Sequence, residues 1–168
     1  MRLSFPCVAG AVVLAAALVV SPGARAAHVS VVAGSSMTTH QLWTTSAFIN
    51  VAAEKSFTWH GLHLQPVGTV GWIQGRTGPE ETRANLDHDV FVAGSGLRLV
   101  DWWHGAFASF QVGIAAGRTA ALSSAGQFIS SVGWRGPHWM LMLRHISNGN
   151  IFGGENRGET MLMAGVRF

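Results

Sequence analysis

His145 and Ser147 stand two apart in the run Arg144-His145-Ile146-Ser147-Asn148-Gly149-Asn150-Ile151, and Glu159 follows twelve residues after the serine. Successive side chains of a strand alternate between its faces, so a strand here sets the imidazole and the hydroxyl side by side. A base beside a hydroxyl, an acid to orient the base and a donor-rich turn are the parts of a serine esterase. A bland reading competes with this one. His-x-Ser in a strand is usually sheet decoration, Asn148-Gly149 is a common hairpin turn, and Glu155 and Glu159 read equally well as solvated loop charges.

The elements that must position these residues are strands. Eight alternating segments are expected, at roughly 28–35, 43–53, 57–74, 88–101, 105–118, 126–135, 138–148 and 159–168. Gly78-Pro79, Trp103-His104-Gly105, Ser123-Ser124-Ala125-Gly126 and Gly136-Pro137 punctuate them. The connections alternate in size. Arg76–Asp87 and Gly149–Gly158 are long and polar, whereas Trp102–His104 and Gly136-Pro137 are short, as in an all-β, eight-stranded antiparallel barrel of the transmembrane outer-membrane type. The long connections then belong outside the cell and the short ones in the periplasm.

Composition agrees. The chain of 168 residues has seven Trp, nine Phe and 21 Gly, with 48% hydrophobic and 11% charged residues. It begins as a secretory signal peptide: Arg2, an uncharged apolar run from Val8 to Val20, a Ser21-Pro22-Gly23 break and Ala24-Arg25-Ala26. That run is below the roughly 20 residues of a spanning helix. The expected division is 1–26 signal peptide and 27–168 barrel, the latter 168 − 26 = 142 residues. The lone Cys7 lies in the signal, which leaves the barrel no disulfide and no thiol chemistry. Removing Arg2 and Arg25 leaves nine basic against eight acidic residues, a net of +1, which is no nucleic-acid footprint. Interfacial aromatics and one lipid-exposed side per strand explain the Trp content.

Alternation assigns the faces. In the seventh segment Trp139, Leu141, Leu143, His145 and Ser147 share one side; His138, Met140, Met142 and Arg144 share the other. Arginine is costly against lipid, so Arg144 belongs inside. His145 and Ser147 then face the membrane at the outer leaflet, where polar groups are expensive and tend to be functional. In the last segment Leu162, Ala164, Val166 and Phe168 make the outward face. Glu159 falls on the inward parity, unless a bulge near residue 160 shifts it.

Other candidates are weaker. His60 and His63, three apart in an expected strand, face opposite ways. Asp87-His88-Asp89 has metal-ligating residue types at a loop–strand junction. Gly94-Ser95-Gly96 lacks the G-x-S-x-G pattern and strand-to-helix setting of a nucleophile elbow. No metal and no cofactor are expected.

At His145-Ile146-Ser147-Asn148 followed by Glu159, the chain resembles the PagL family of outer-membrane lipid A 3-O-deacylases. The likeness extends to the signal peptide, mature length, eight strands and terminal aromatic; its specific part is the last 25 residues. It implies that Ser147 is the nucleophile, His145 its general base and Glu159 the residue orienting the imidazole. It implies an oxyanion hole around Asn148 with the turn amides of Gly149 and Asn150. The family match argues for the bulge that would bring Glu159 outward. The implied reaction is hydrolysis of the ester-linked 3-hydroxyacyl chain at position 3 of lipid A in the outer leaflet. Implied partners are lipopolysaccharide and outer-membrane lipids, and a homodimer is one way to cover an exposed catalytic face. The contrasting expectation is a small non-enzymatic outer-membrane barrel, structural or adhesive.

Overall fold

The computed structural model describes residues 27–38, 42–77, 85–151 and 157–168. The expected signal peptide, the Gly78-Pro79 turn and Glu155 lie outside the described residues. Nine strands form one antiparallel sheet: β1 (Ala27–Met37), β2 (Trp43–Ala53), β3 (Phe57–Trp59), β4 (Leu62–Ile73), β5 (Val90–Val100), β6 (Ala106–Ala116), β7 (Gly126–Arg135), β8 (Trp139–Ser147) and β9 (Glu159–Arg167). β3 pairs only with the start of β4. The other eight close on themselves, because β1 pairs with β9 as well as β2, and β2 continues to β4. The result is a closed eight-stranded antiparallel barrel, with no helix among the described residues.

The expected segment 57–74 is two strands rather than one. His60 and Gly61 both take positive φ, 48° and 82°, and turn Trp59 back onto Leu62. His60 therefore belongs to a turn, while His63 lies on β4 opposite Thr58. Both chain ends of the barrel, this hairpin and the connections 101–105 and 136–138 occupy one rim. The strand ends at Met37, Trp43, Ile73, Val90, Ala116, Gly126, Ser147 and Glu159 occupy the other.

Alternation decides what fills the barrel and what coats it. Inward residues include Val32, Phe48, Val92, Phe107, Ile129, Met140, Met142, Met161 and Met163, all buried. Arg144 is 1% exposed and lies inside as its parity requires; it donates to Ser131 Oγ (3.1 Å) and Asn50 Oδ1 (2.6 Å) and covers the Phe48 ring at 4.6 Å. Arg98 stacks on Phe107 at 4.8 Å. The outer surface is apolar: Val31, Ile49, Leu97, Phe110, Val112, Ile114, Val132, Leu141, Leu143, Leu162 and Val166 are all exposed. Five exposed tryptophans, Trp59, Trp102, Trp103, Trp134 and Trp139, gather toward the rim that carries the termini. Trp103 and Trp134 meet edge to face at 5.8 Å.

Candidate active site

β8 delivers the His-Ser pair as its alternation predicts. His145 is exposed and Ser147 half-buried on the outer face, at the loop-bearing end of the strand. The flanking strands set their neighbours. Ser130 of β7 and Thr160 of β9 are the cross-strand partners of His145, and Phe128 is the partner of Ser147. The Phe128 ring stacks on Phe110 at 5.7 Å. A short polar row of Ser130, His145 and Thr160 thus runs across an otherwise apolar outer wall, with Leu143 and Leu162 below it.

The imidazole is held by Thr160. His145 Nδ1 lies 3.0 Å from Thr160 Oγ1. With Nδ1 protonated, the ring donates to the threonine oxygen and Nε2 keeps its lone pair, the state a general base needs. Gly158 completes the seat from the other side. It sits at φ +67°, and a Cβ placed there would lie 2.6 Å from His145 Cε1 and 3.0 Å from Nε2. The ring occupies space that any larger residue would fill. The backbone of 157–158 is tied to the 117–125 connection, where Gly158 N–H donates to Ala121 O (3.0 Å) and Arg157 N–H to Ala120 O (3.3 Å).

Glu159 is elsewhere. The β8–β9 ladder runs from Trp139↔Val166 to Ile146↔Glu159 in unbroken register, so the bulge expected near residue 160 is absent and Glu159 points into the barrel. It is 2% exposed, takes both Nη atoms of Arg76 at 2.9 Å and accepts a hydrogen bond from Ser36. Arg76 Nε also donates to Leu42 O at 3.0 Å. A carboxylate gripped by a two-pronged guanidinium is committed, and the wall separates it from the outer face that carries His145. The assignment of Glu159 as the imidazole's direct partner is thereby corrected: that position belongs to Thr160.

The turn after Ser147 has Gly149-Asn150 at its centre and is a side-chain anchor as well. Gly149 and Asn150 have φ of 61° and 59°, and Ile151 N–H donates to Asn148 O at 3.2 Å. Positive φ at both central positions with this bond is a type I′ turn. Asn148 is fully buried; its Oδ1 accepts the Asn150 N–H (2.9 Å) and its Nδ2 donates to Ser123 Oγ (3.2 Å). Asn148 therefore pins the turn to the 117–125 connection. The Asn150 amide, expected as an oxyanion donor, is already engaged by the Asn148 side chain.

At the Asp87-His88-Asp89 run, His88 Nε2 meets Arg118 O at 2.9 Å, and Asp89 Oδ1 accepts the Gly75 N–H at 2.8 Å. The first ties His88 to the 117–125 connection, and the second joins the residues just after β4 to those just before β5. Among the described residues no three or more His, Cys, Asp or Glu side chains gather as a metal site.

Two site residues, Thr160 and Gly158, escaped the sequence reading. Strand parity held the signal for the first: with Leu162, Ala164 and Val166 outward, Thr160 must be outward too.

No protein-family model matches the sequence, and no curated protein matches it. Among solved structures the chain is similar to Ail, the attachment invasion locus protein of Yersinia pestis, determined in complex with the heparin analogue sucrose octasulfate. The identity is 7% and the TM-score 0.46, over 84% of this chain and 96% of that one.

Proposed function

We propose that this chain is an outer-membrane serine esterase, a lipid A 3-O-deacylase of the PagL type. The observation that carries the reading is the placement of His145 and Ser147, two residues apart, on the outward face of β8 at its loop-bearing end, beside the Phe110–Phe128 stack. The apolar outer wall and the clustered tryptophans support a position across the outer membrane. The rim at Ile73, Val90, Ser147 and Glu159 then faces outside, and the rim at Ala27 and Arg167 faces the periplasm. In that setting the candidate nucleophile meets the acyl region of an outer-leaflet lipid, and the apolar wall is the surface along which an acyl chain lies.

The chemistry follows from the pair. Ser147 Oγ attacks the ester carbonyl carbon while His145 Nε2 takes the hydroxyl proton. Collapse of the tetrahedral intermediate breaks the ester bond, and His145 returns the proton to the departing glucosamine 3-oxygen. Water then attacks the acyl-serine with His145 again as base. The products are a free 3-hydroxy fatty acid and lipid A with one acyl chain fewer.

The test is a mass spectrum of lipid A from a host that makes the ordinary hexa-acylated form and expresses this chain. The expected product is lighter by one ester-linked 3-hydroxyacyl chain. Loss of a secondary acyl chain instead would keep the esterase and overturn the position. Unchanged lipid A, also in detergent extracts, would favour a non-enzymatic barrel.

A further inference from the structure

We propose that Thr160 is the positioning residue for His145, and that the buried Arg76–Glu159 pair serves the site by fixing the strand register that brings Thr160 there. This rests on the esterase reading and deepens it.

Three observations combine. Thr160 Oγ1 is the hydrogen-bond partner of His145 Nδ1 at 3.0 Å. Thr160 and Glu159 are adjacent at the start of β9, so their side chains leave opposite faces of the wall. A slip of one residue would exchange them, because the side-chain period is two. It would turn Glu159 out and Thr160 in, and would strip the buried Arg76 guanidinium of its carboxylate. Removing one member of a buried ion pair is strongly destabilising. The pair also reaches beyond β9. Ser36 of β1 bonds the carboxylate, and Arg76 bonds Leu42 O in the β1–β2 connection. The start of β9 is therefore locked from inside by two partners, Ser36 and Arg76, the latter itself held by Leu42, and the lock dictates which side chain meets the imidazole outside.

Gly158 belongs to the same device. Its φ of +67° and its missing side chain let the ring sit directly over the backbone as β9 begins. The imidazole is confined between a threonine oxygen and a glycine, with Nε2 directed away from its Nδ1 anchor. A threonine oxygen is a neutral acceptor. It selects the tautomer and the ring angle, and it supplies no full counter-charge to an imidazolium.

The experiment uses the full mature barrel folded in detergent, with hexa-acylated lipid A as substrate and released 3-hydroxy fatty acid as readout. Heat-modifiable gel migration checks that each variant is folded. Thr160→Val is expected to lower kcat about tenfold with KM nearly unchanged, the scale of one lost hydrogen bond, and Thr160→Ser to restore most of it. Gly158→Ala is expected to lower kcat by displacing the ring. Glu159→Ala and Arg76→Ala are each expected to weaken both the fold and activity, and the exchanged pair Arg76→Glu with Glu159→Arg to recover a substantial part of both. A carboxylate acting directly on His145 could not be replaced by arginine, so loss of activity in a folded exchanged pair would overturn the register role. Full activity of Thr160→Val would overturn the positioning role. Should the exchanged pair fail to fold, Glu159→Gln decides: it keeps hydrogen bonds to Arg76 and Ser36, so activity within a few-fold of wild type supports the register role, and a large loss of kcat in a folded barrel overturns it. Full activity of Ser147→Ala would instead remove the esterase reading itself.

Discussion

On the inner face of the wall at Glu159, one carboxylate collects three hydrogen bonds, two from Arg76 and one from Ser36, and is almost wholly buried. One residue further along β9, on the outer face, Thr160 shares a single hydrogen bond with an exposed His145. The two regions are separated only by the thickness of a strand. The inner one is saturated and closed; the outer one is lean and open, and its imidazole keeps a nitrogen for another partner. The difference separates stability from chemistry. Groups that hold the rim together are spent inside the barrel, and groups that can act on a substrate are those the wall leaves exposed.

The largest effect should fall on the outer face and on activity alone. Ser147→Ala and His145→Ala should each reduce deacylation by on the order of 10³-fold or more, with the double variant scarcely worse, because the two act as one unit. Their unfolding free energies should stay within about 0.5 kcal/mol of wild type, as for outer-surface positions away from the buried interior. Urea titration of the folded barrel in lipid vesicles checks this; a large stability loss would mean that the outer row is structural after all.

The inner face should respond the other way. Arg76→Ala leaves the Glu159 carboxylate buried and unpaired, and should cost about 3–5 kcal/mol in the same titration. Activity should follow only as far as the rim loosens. A next smaller effect tests the membrane assignment of the outer wall. Leu143→Arg, at the middle of β8, should cost about 2–4 kcal/mol in a bilayer. A neutral outcome there would argue that the wall does not meet lipid. The smallest effect belongs to the turn. Asn148→Ala loses the bonds to Ser123 and to the Asn150 amide, and should cost about 1–2 kcal/mol. It should also lower activity, since that turn borders Ser147.

Much of the barrel is legible in the sequence because the strand period is two and its consequences are local. Arg144 between Leu143 and His145 is enough to orient all of β8, and Leu162, Ala164 and Val166 orient β9. The same rule already puts Glu159 inside and Thr160 outside. The bulge suggested by the family resemblance would have reversed this, and the continuous ladder shows that simple alternation governs. What the sequence does not display is partnership over long separations. Arg76 lies 83 residues from Glu159, on a connection whose path depends on the closed barrel. Ser123 meets Asn148 for the same reason. The split of 57–74 into β3 and β4 was hidden because His60 takes a positive φ that only the following Gly61 hints at.

The most direct test of the central claim is covalent labelling of the folded barrel with a lipid-tailed fluorophosphonate, read by intact mass and peptide mapping. An activated serine on the outer wall predicts one adduct, on Ser147, and almost none in His145→Ala at equal folding. Absence of any adduct on folded wild-type protein, or labelling of Ser147 that is indifferent to His145, would contradict the account.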